Sequence, residues 1–505
     1  MAATWIGFAM MCIGMFMAIL DIQVVATSLP TIQDALGILP DQMSWVQTAY
    51  LIAEVVAIPL TGFLTRLLSM RLLFVLAISV FTLASLGCAA SASFGALIAF
   101  RSLQGFSGGT LIPAVFSAVF LLFPARRQGL ATMVGGVLAV LAPTVGPVVG
   151  GWITDTYSWH WLFLINILPG VISAVVAFGL LPKSPICLPE IRKLDLTSLV
   201  LMAMALAALE IALKEAPRRG WDSGLVLGLL ALSIVSMTGF VRRTIRGRHP
   251  VVGLGSFADR NFTIGCILSF VLGIGLFGSV YLMPVFLAFV RLHDALEIGS
   301  IMLVTGLAQL ATAPIAVTIE QRLDARLLTA GGFALFAVGL GLSAFQTPQT
   351  DFHDMLWPQI IRGVAIMFCL LPPTRLALGT LEKDRVPDAS GLFNLMRNLG
   401  GAIGLALIDT VIYSRSPVHA TQIVARLQAG DTGTAEFVGI PLGLFAARST
   451  GPLDAGTQAM LKPLIEKAAT TLAVNEAWGM VALLTVGAVI CVPFARGFLV
   501  QPPHP

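Results

Sequence analysis

The run WIGFAMMCIGMFMAILDIQVVATS at residues 5–28 contains one charged side chain, Asp21, in twenty-four residues. A helix needs about 20 predominantly apolar residues to cross the hydrocarbon core of a bilayer. Thirteen similar runs follow, so we predict an all-α integral membrane protein with fourteen spanning helices. The predicted helices cover residues 5–28, 44–64, 71–90, 95–121, 128–153, 159–181, 196–213, 223–241, 262–290, 298–319, 327–345, 355–378, 388–413 and 473–495.

The composition of the chain excludes an ordinary soluble protein. Hydrophobic residues make up 57% of the 505 residues and charged residues 11%, whereas soluble domains carry roughly 25% charged residues. The formal net charge is +4, but Lys and Arg lie in short connectors, so we predict no nucleic-acid partner. The six cysteines include no CxxC pair, so the sequence indicates no metal site, no disulfide framework and no cofactor.

Two short patterns resemble motifs of soluble enzymes but occur in the wrong context. GIGLFG at 273–278 matches a dinucleotide-binding pattern, yet it lies inside an apolar helix with no preceding strand. GFSGG at 105–109 matches the nucleophile pattern of hydrolases, yet no strand-turn-helix sequence surrounds Ser107. Glycine-mediated helix packing explains both patterns, and we predict that the protein is not an enzyme.

The basic residues of the short connectors predict the orientation of the chain. Connectors after even-numbered helices hold sixteen Lys and Arg residues and those after odd-numbered helices hold four, leaving out the long connector after helix 13. Because Lys and Arg are enriched on the cytoplasmic side, we predict that both termini are cytoplasmic. Seven tryptophans fall near helix ends on the opposite side, where we expect an interfacial belt: Trp45, Trp152, Trp159, Trp161, Trp221, Trp357 and Trp478.

The chain contains a weak internal repeat. Shifting the first five predicted helices by about 255 to 258 residues places them on helices 9 to 13. We predict a six-helix bundle over 1–181, a linker with two extra spanning helices over 182–250, and a second six-helix bundle over 251–505 with a long outer loop at 414–472. Parallel repeats of this kind are typical of secondary transporters, whose substrate path lies between the halves near the bilayer midplane.

Ionisable side chains inside the predicted helices are the main functional candidates, because each costs several kcal/mol in lipid unless it faces protein or water. Three of them, Glu210, Arg375 and Glu476, lie within a turn or two of a predicted helix end, and we interpret them as snorkelling to the membrane surface. The others are Asp21, Glu54, Arg101, Arg362, Arg397 and Asp409.

Four of these residues are our candidates for proton coupling: Asp21, Glu54, Arg101 and Asp409. A buried carboxylate can change its protonation state during transport, which favours a functional role for Asp21. A structural role for Arg101, with its guanidinium bound to backbone carbonyls, stays open as the alternative.

Polar side chains at helical spacing predict a substrate path. In the second predicted helix, Gln47, Tyr50 and Glu54 are three or four residues apart and share one face. Helix 13 has a similar polar face next to glycines, for which interhelical hydrogen bonding is the alternative interpretation. The predicted path residues are Gln47, Tyr50, Gln104, Arg362, Asn394, Arg397 and Asn398.

The fifth predicted helix carries the segment APTVGPVVGG at 142–151. Prolines bend a helix and remove backbone donors, and glycines four residues apart permit close contact with a neighbouring helix. We therefore predict a conformational role for five residues of this segment: Pro143, Gly146, Pro147, Gly150 and Gly151.

Five segments resemble the major facilitator superfamily, and specifically its fourteen-helix drug:proton antiporters. They are LDIQVVATSLPTIQ (20–33), RSLQGFSGGTLIP (101–113), GPVVGGWITDTYSWHWLFLIN (146–166), RNFTIGC (260–266) and WPQIIRG (357–363). The resemblance implies the major facilitator fold, with two six-helix bundles plus two inserted helices. It also implies proton-coupled efflux of hydrophobic or amphipathic compounds by alternating access. An exporter dedicated to one lipid, siderophore or metabolite is the alternative.

The resemblance also implies roles for particular residues. Asp21 lies in a segment similar to the acidic motif of helix 1, and Arg101 takes the place of the arginine implicated in proton transfer. GPVVGG at 146–151 looks like the antiporter motif of helix 5. The connector at 62–71 departs from the family pattern, because Arg66 occupies the place of an acidic residue. We therefore do not transfer to this chain the ionic contact that this connector forms on the cytoplasmic side in the family.

The resemblance finally implies a location and partners. Exporters of this type in Gram-negative bacteria act in the inner membrane together with a periplasmic adaptor and an outer-membrane channel. Residues 414–472 are then the candidate docking surface. The implied cargo is a small hydrophobic substrate exchanged for protons, and the lipid bilayer surrounds the helices.

Overall fold

The computed structural model describes residues 2–37, 40–43, 45–187, 189, 194–247, 250–320, 322–446, 451 and 455–496. Within these ranges the regular structure is helical and no strand occurs. Three basic residues used for the predicted orientation, Arg192, Lys193 and Arg248, lie outside the described residues. Residues 447–450 and 452–454 of the predicted outer loop also lie outside them.

Fourteen helices in the described ranges are long and apolar enough to cross a membrane, which confirms the predicted fold class. The shorter helices between them carry no label here. The spanning helices are α1 (Ala2–Thr27), α2 (Trp45–Leu68), α3 (Met70–Ala89), α4 (Phe94–Leu122), α5 (Ala125–Thr156), α6 (Ile167–Leu180, which continues the short helix Trp161–Leu164 to give the span Trp161–Leu180), α7 (Leu196–Arg219), α8 (Gly224–Arg246), α9 (Arg260–Phe286), α10 (Ala295–Glu320), α11 (Ala325–Leu342), α12 (Phe352–Leu378), α13 (Val386–Gln428) and α14 (Ala455–Cys491).

Side-chain caps begin several of these helices. Ser93, Asp195, Ser223 and Asp259 each accept a hydrogen bond from the backbone N–H three residues further on. Such caps satisfy one of the backbone donors that a helix start leaves free. Arg243 at the end of α8 also donates to Asp195 at 2.5 Å, and this hydrogen bond lowers the pKa of the Asp195 carboxyl to about 2. The start of α7 is thereby connected to the end of α8.

Equivalent helices pack in the same pairs in α1–α6 and in α9–α14. In the first set α1 packs against α5, α2 against α4, and α3 against α6. In the second set α9 packs against α13, α10 against α12, and α11 against α14. Between the sets α2 contacts α13 and α5 contacts α10. These two cross contacts each join the second helix of one set to the fifth helix of the other.

The two inserted helices lie beside this interface. α7 packs against α8 and also contacts both α2 and α13. Trp221, in the connector after α7, donates from Nε1 to Oγ1 of Thr410 on α13 at 2.9 Å. Lys214 Nζ of α7 lies 4.7 Å from the centre of the Trp45 ring at the start of α2. α7 is thus attached to both six-helix sets on the predicted outer side.

The segment 414–472 is largely helical in its described residues, where we expected a long loop. α13 continues to Gln428, and α14 begins at Ala455. The 43 residues of α13 span about 64 Å at roughly 1.5 Å per residue, about twice the thickness of the hydrocarbon core. Both helices therefore extend beyond the membrane on the predicted outer side. Apolar side chains bury one another there and stabilise the extension: Ile423, Leu427, Ala435, Val438, Ile465, Ala468 and Ala469.

Candidate functional site

A buried ion pair lies within the first six helices. Arg101 of α4 donates from Nη1 to Asp21 of α1, and neither side chain is exposed to solvent. Asp21 Oδ1 also accepts from Gln104 Nε2 at 2.9 Å and from Asn166 Nδ2 at 2.8 Å. Arg101 Nε donates to the carbonyl of Val46 at 3.1 Å, whereas its Nη2 has no hydrogen-bond partner among the described residues. A change in the charge of Asp21 would therefore leave Arg101 with neutral partners only.

Two glycines of α4 allow α2 to approach this ion pair. A Cβ at Gly105 would overlap the carbonyl of Tyr50, and one at Gly109 would lie 2.6 Å from the carbonyl oxygen of Glu54. The close approach brings the centre of the Tyr50 ring to 4.4 Å from Arg101 Cζ, a cation–π arrangement. The glycines of the segment 101–113 thus position Tyr50 and Glu54 next to the ion pair.

The two six-helix sets are in contact on the predicted cytoplasmic side. Arg66 at the end of α2 donates from Nη1 to Asp388 Oδ2 at the start of α13, at 2.5 Å. Ser390 Oγ of α13 donates to the carbonyl of Pro113 on α4 at 2.8 Å. A Cβ at Gly62 of α2 would overlap the Asp388 carboxylate, so the helices are close-packed here. The two sets are therefore closed against each other on this side.

A cavity of about 600 Å³ lies between the two sets on the predicted outer side. Its walls come from α1, α2, α5, α7, α9, α10 and α13 and are mostly apolar. Tyr281 donates to Asp409 Oδ1 at 2.6 Å within the cavity wall. Apolar pockets of this size with a few polar groups are typical of sites for drug-sized ligands. The polar residues that line the cavity include Gln23, Gln47, Glu210, Lys214, Tyr281 and Asp409.

The predicted path residues of the first half lie in two places. Gln47 lines the cavity. Tyr50 and Gln104 are fully buried beside Arg101, where the Tyr50 hydroxyl donates to the Ala18 carbonyl at 3.0 Å. Tyr50 and Gln104 therefore support the ion pair in this state and do not line the cavity.

The predicted path residues of the second half do not line the cavity either. Asn394 donates to the Ser390 carbonyl at 2.9 Å on the closed side. Arg397 lies near the same contact, with its Cζ 5.4 Å from the centre of the Phe116 ring of α4. The four residues absent from the cavity lining are Arg362, Asn394, Arg397 and Asn398.

Two residues of the inserted helix α7, Glu210 and Lys214, line the cavity, and sequence analysis missed both. We expected Glu210 to snorkel near a helix end, and this expectation was wrong. α7 continues to Arg219, so Glu210 lies nine residues before its end. The Lys214 ammonium has no hydrogen-bond partner among the described residues. The signal that could have found them is their four-residue spacing, which places both on one helix face.

The other charged residues that we assigned to helix ends have ionic partners. Arg375 Nη1 of α12 lies 3.7 Å from Glu320 Oε1 of α10, and both side chains are buried, so the snorkelling interpretation of Arg375 was wrong. Glu476 accepts from Arg415 Nε at 2.6 Å in the outer extension. Neither pair faces the cavity.

The glycine- and proline-rich segment of α5 faces two neighbouring helices. A Cβ at Gly146 would overlap Gln23 of α1, and Val148 packs against Gly299 of α10. α5 therefore contacts its own set through Gly146 and the other set through Val148. The five residues with a predicted conformational role are all buried in α5: Pro143, Gly146, Pro147, Gly150 and Gly151.

The chain matches the Major Facilitator Superfamily over residues 11–405 and belongs to this family of membrane transporters, which are not enzymes. It is 40% identical to the colistin resistance protein EmrB of Acinetobacter baumannii, over 83% of this chain and 82% of that protein. It is 31% identical to the multidrug export protein EmrB of Escherichia coli K12, over 81% of this chain and 80% of that protein. The crystal structure of the human organic anion transporter MFSD10 (TETRAN) shares the fold, with a TM-score of 0.62 and 13% identity, over 96% of this chain and 99% of that chain. The predicted resemblance to this superfamily is confirmed.

Proposed function

We propose that this protein exports hydrophobic or amphipathic compounds of several kinds in exchange for protons, by alternating access. The observation that carries the proposal is the buried Asp21–Arg101 ion pair beside a drug-sized cavity that is closed on the predicted cytoplasmic side. The names of the two relatives, which refer to multidrug export and colistin resistance, support efflux.

Asp21 is the proton site in this proposal. Protonation removes the charge that balances Arg101 in a region without solvent exposure. An unbalanced buried charge costs several kcal/mol, so the pair separates and α1 shifts relative to α4. A proton that crosses the membrane supplies about 2.3 kcal/mol per 100 mV, which is enough to bias a two-state equilibrium.

Glu54 links the cavity to this ion pair. Glu54 is buried on α2, the helix that contacts both α7, which carries Glu210, and α4, which carries Arg101. In the proposed route a proton passes from Glu210 through Glu54 to Asp21. Asp409 of α13, which also lines the cavity, takes up a second proton or a donor group of the cargo.

The lining of the cavity suits amphipathic cargo. Its apolar walls accept a hydrophobic body, and side chains such as Phe277 and Leu405 provide them. Glu210 and Asp409 offer acceptors for a donor group, and Lys214 offers donors for an acceptor group. A compound with one polar end therefore fits better than a purely apolar one.

Location and partners follow from the predicted orientation. The proposed site of action is the inner membrane of a Gram-negative bacterium, with both termini in the cytoplasm. In that orientation the helical extension of α13 and α14 projects into the periplasm. Its surface is where a periplasmic adaptor would dock and connect the exporter to an outer-membrane channel.

Flux measurements in proteoliposomes test this function. A pH gradient is imposed across vesicles that contain the purified chain, and the movement of protons and of a panel of lipophilic cations, weak acids and neutral compounds is followed. We expect proton flux that depends on the compound and stops with an uncoupler. Asp21→Asn should abolish it, whereas Asp34→Asn, at an exposed carboxylate, should not. Flux of one compound class only would favour the dedicated exporter, and transport without proton movement would contradict the proposal.

A further inference from the structure

Arg362 of α12 is a buried arginine without an ionic partner. Its side chain is 3% exposed, and Nε and Nη1 have no hydrogen-bond partner among the described residues. Nη2 reaches Met283 Sδ at 3.5 Å, and Cζ lies 4.7 Å from the centre of the Trp478 ring. Trp478 itself is fully buried, so our expectation of an interfacial position was wrong for this tryptophan.

Two other buried arginines of the spanning helices show what Arg362 lacks. Arg101 is paired with Asp21, and Arg375 is paired with Glu320. In the part of the chain that the structure describes, no carboxylate forms such a pair with Arg362. Buried charges are normally paired, because an isolated one costs far more than a neutral group. Since an arginine does not give up its proton in proteins, a negative charge from elsewhere is needed.

A small cavity of about 60 Å³ adjoins the guanidinium group. Arg362, Met283 and Trp478 line it, and Trp478 Nε1 is a further buried donor without a partner among the described residues. About 10–15 Å³ of such volume is enough for one water molecule, so the cavity has room for a small ion or a few water molecules. Two guanidinium nitrogens and one indole nitrogen without hydrogen-bond partners among the described residues thus belong to side chains that line this space.

We propose that this cavity binds one small monovalent anion of halide size. The Arg362 guanidinium balances its charge, and the Trp478 indole N–H is the second donor. The site lies between α9, α11, α12 and α14, and it is separate from the 600 Å³ cavity. It is therefore independent of the proposed transport cycle, because the anion balances a fixed charge within the second six-helix set.

The main rival occupant is water that bridges Arg362 to Asp354, which lines the same cavity. Asp354 lies eight residues before Arg362, about 12 Å along the helix. Its Oδ2 already accepts from the Asp351 backbone N–H at 3.1 Å as part of a helix cap. A distant and already bonded carboxylate compensates Arg362 poorly, which favours the anion.

Thermal unfolding of the purified full chain tests the proposal. The protein is compared in sodium chloride, sodium bromide and sodium gluconate at equal ionic strength, since gluconate is too large for the cavity. At tenfold its dissociation constant a bound anion shifts the folding equilibrium about elevenfold, which corresponds to a rise in Tm of about 1 °C for a chain of this length. We expect a saturable rise with chloride and bromide, and no rise with gluconate.

Two variants locate the effect. Arg362→Gln should abolish the difference between chloride and gluconate, whereas Arg397→Gln should keep it, because Arg397 is equally buried but lines neither cavity. Trp478→Phe keeps an aromatic ring over Arg362, removes the N–H donor, and should raise the chloride concentration at half-maximal effect. It serves as the test if Arg362→Gln does not fold.

Two results would overturn the proposal. The first is an equal Tm of the wild type in chloride and gluconate, and the second is a chloride effect that survives in Arg362→Gln. If the first result is found and Asp354→Asn lowers the Tm equally in every salt, the cavity is assigned to bridging water.

Discussion

The ion pair between Arg66 and Asp388 should hold the predicted cytoplasmic side closed, and breaking it should open that side. The Nη1–Oδ2 distance is 2.5 Å, and the Asp388 side chain is 11% exposed against 32% for Arg66. This pair joins the end of α2 to the start of α13 and so connects the two six-helix sets through opposite charges.

The size of the effect follows from this partial burial. Exposed ion pairs contribute about 0.2–1 kcal/mol, whereas loss of one partner from a buried, hydrogen-bonded pair costs about 2–5 kcal/mol. Asp388 is nearly buried, but Arg66 can turn to water when it loses its partner. We therefore expect about 2 kcal/mol for Asp388→Asn, which is roughly a thirtyfold shift toward the state that is open on this side.

Cysteine accessibility measures this shift directly. Ser390 is fully buried in the closed contact, so Ser390→Cys in a background without native cysteines reports its opening. We expect Asp388→Asn to raise the rate of labelling by an impermeant maleimide from the predicted cytoplasmic side about thirtyfold. Asp384→Asn, at an exposed carboxylate of the preceding connector, is the control.

A charge exchange completes the design. Arg66→Asp combined with Asp388→Arg restores an ion pair and should return the labelling rate to near the wild-type value. An unchanged rate in Asp388→Asn, or a double variant that labels as fast as the single one, would refute the reasoning.

Four further substitutions address the other parts of the site. Asp21→Asn should leave the protein inserted in the membrane but abolish proton-coupled flux. Arg101→Lys should impair this flux strongly, because an ammonium does not reproduce the planar donor fork of a guanidinium group. Wild-type flux in either variant would remove that residue from the proton site. Gly146→Val should stop transport with little change in substrate binding, since the valine side chain would overlap Gln23 of α1. Unchanged export would show that the contact between α5 and α1 does not move during transport. Glu210→Gln should lower the export of a lipophilic monocation more than that of a neutral compound, which parallel efflux assays compare; equal losses would place Glu210 outside cargo recognition.

The length of apolar runs was sufficient to predict the spanning helices, because the hydrocarbon thickness imposes that length. It was not sufficient to predict where α13 and α14 end outside the membrane. Polar residues such as Ser414 and Arg415 follow the apolar run, yet the helix continues through them. Ile423 and Leu427 pack against α14 there, and this contact is between segments that are distant in sequence.

The ion pair could be anticipated because a charge in an apolar run needs a partner. Its neutral partner Asn166 could not, since an asparagine just before a helix start is common for many reasons. Glu210 was misassigned because the predicted helix ended six residues too early. Arg362 and Arg397 were wrongly assigned to the cavity because we expected a buried charge to line a path. A buried charge can instead lie beside aromatic rings and small cavities away from any path.

The continuity of α13 has a mechanical consequence. One helix carries Asp388 in the closed contact, Asp409 in the cavity wall and Gln428 in the outer extension. Gln428 lies nineteen residues beyond Asp409, about 28 Å along the helix, so each degree of tilt about Asp409 displaces the tip by about 0.5 Å. Because the tip lies outside the bilayer and moves with the cavity wall, a molecule that contacts the tip can respond to the state of the cavity without entering it.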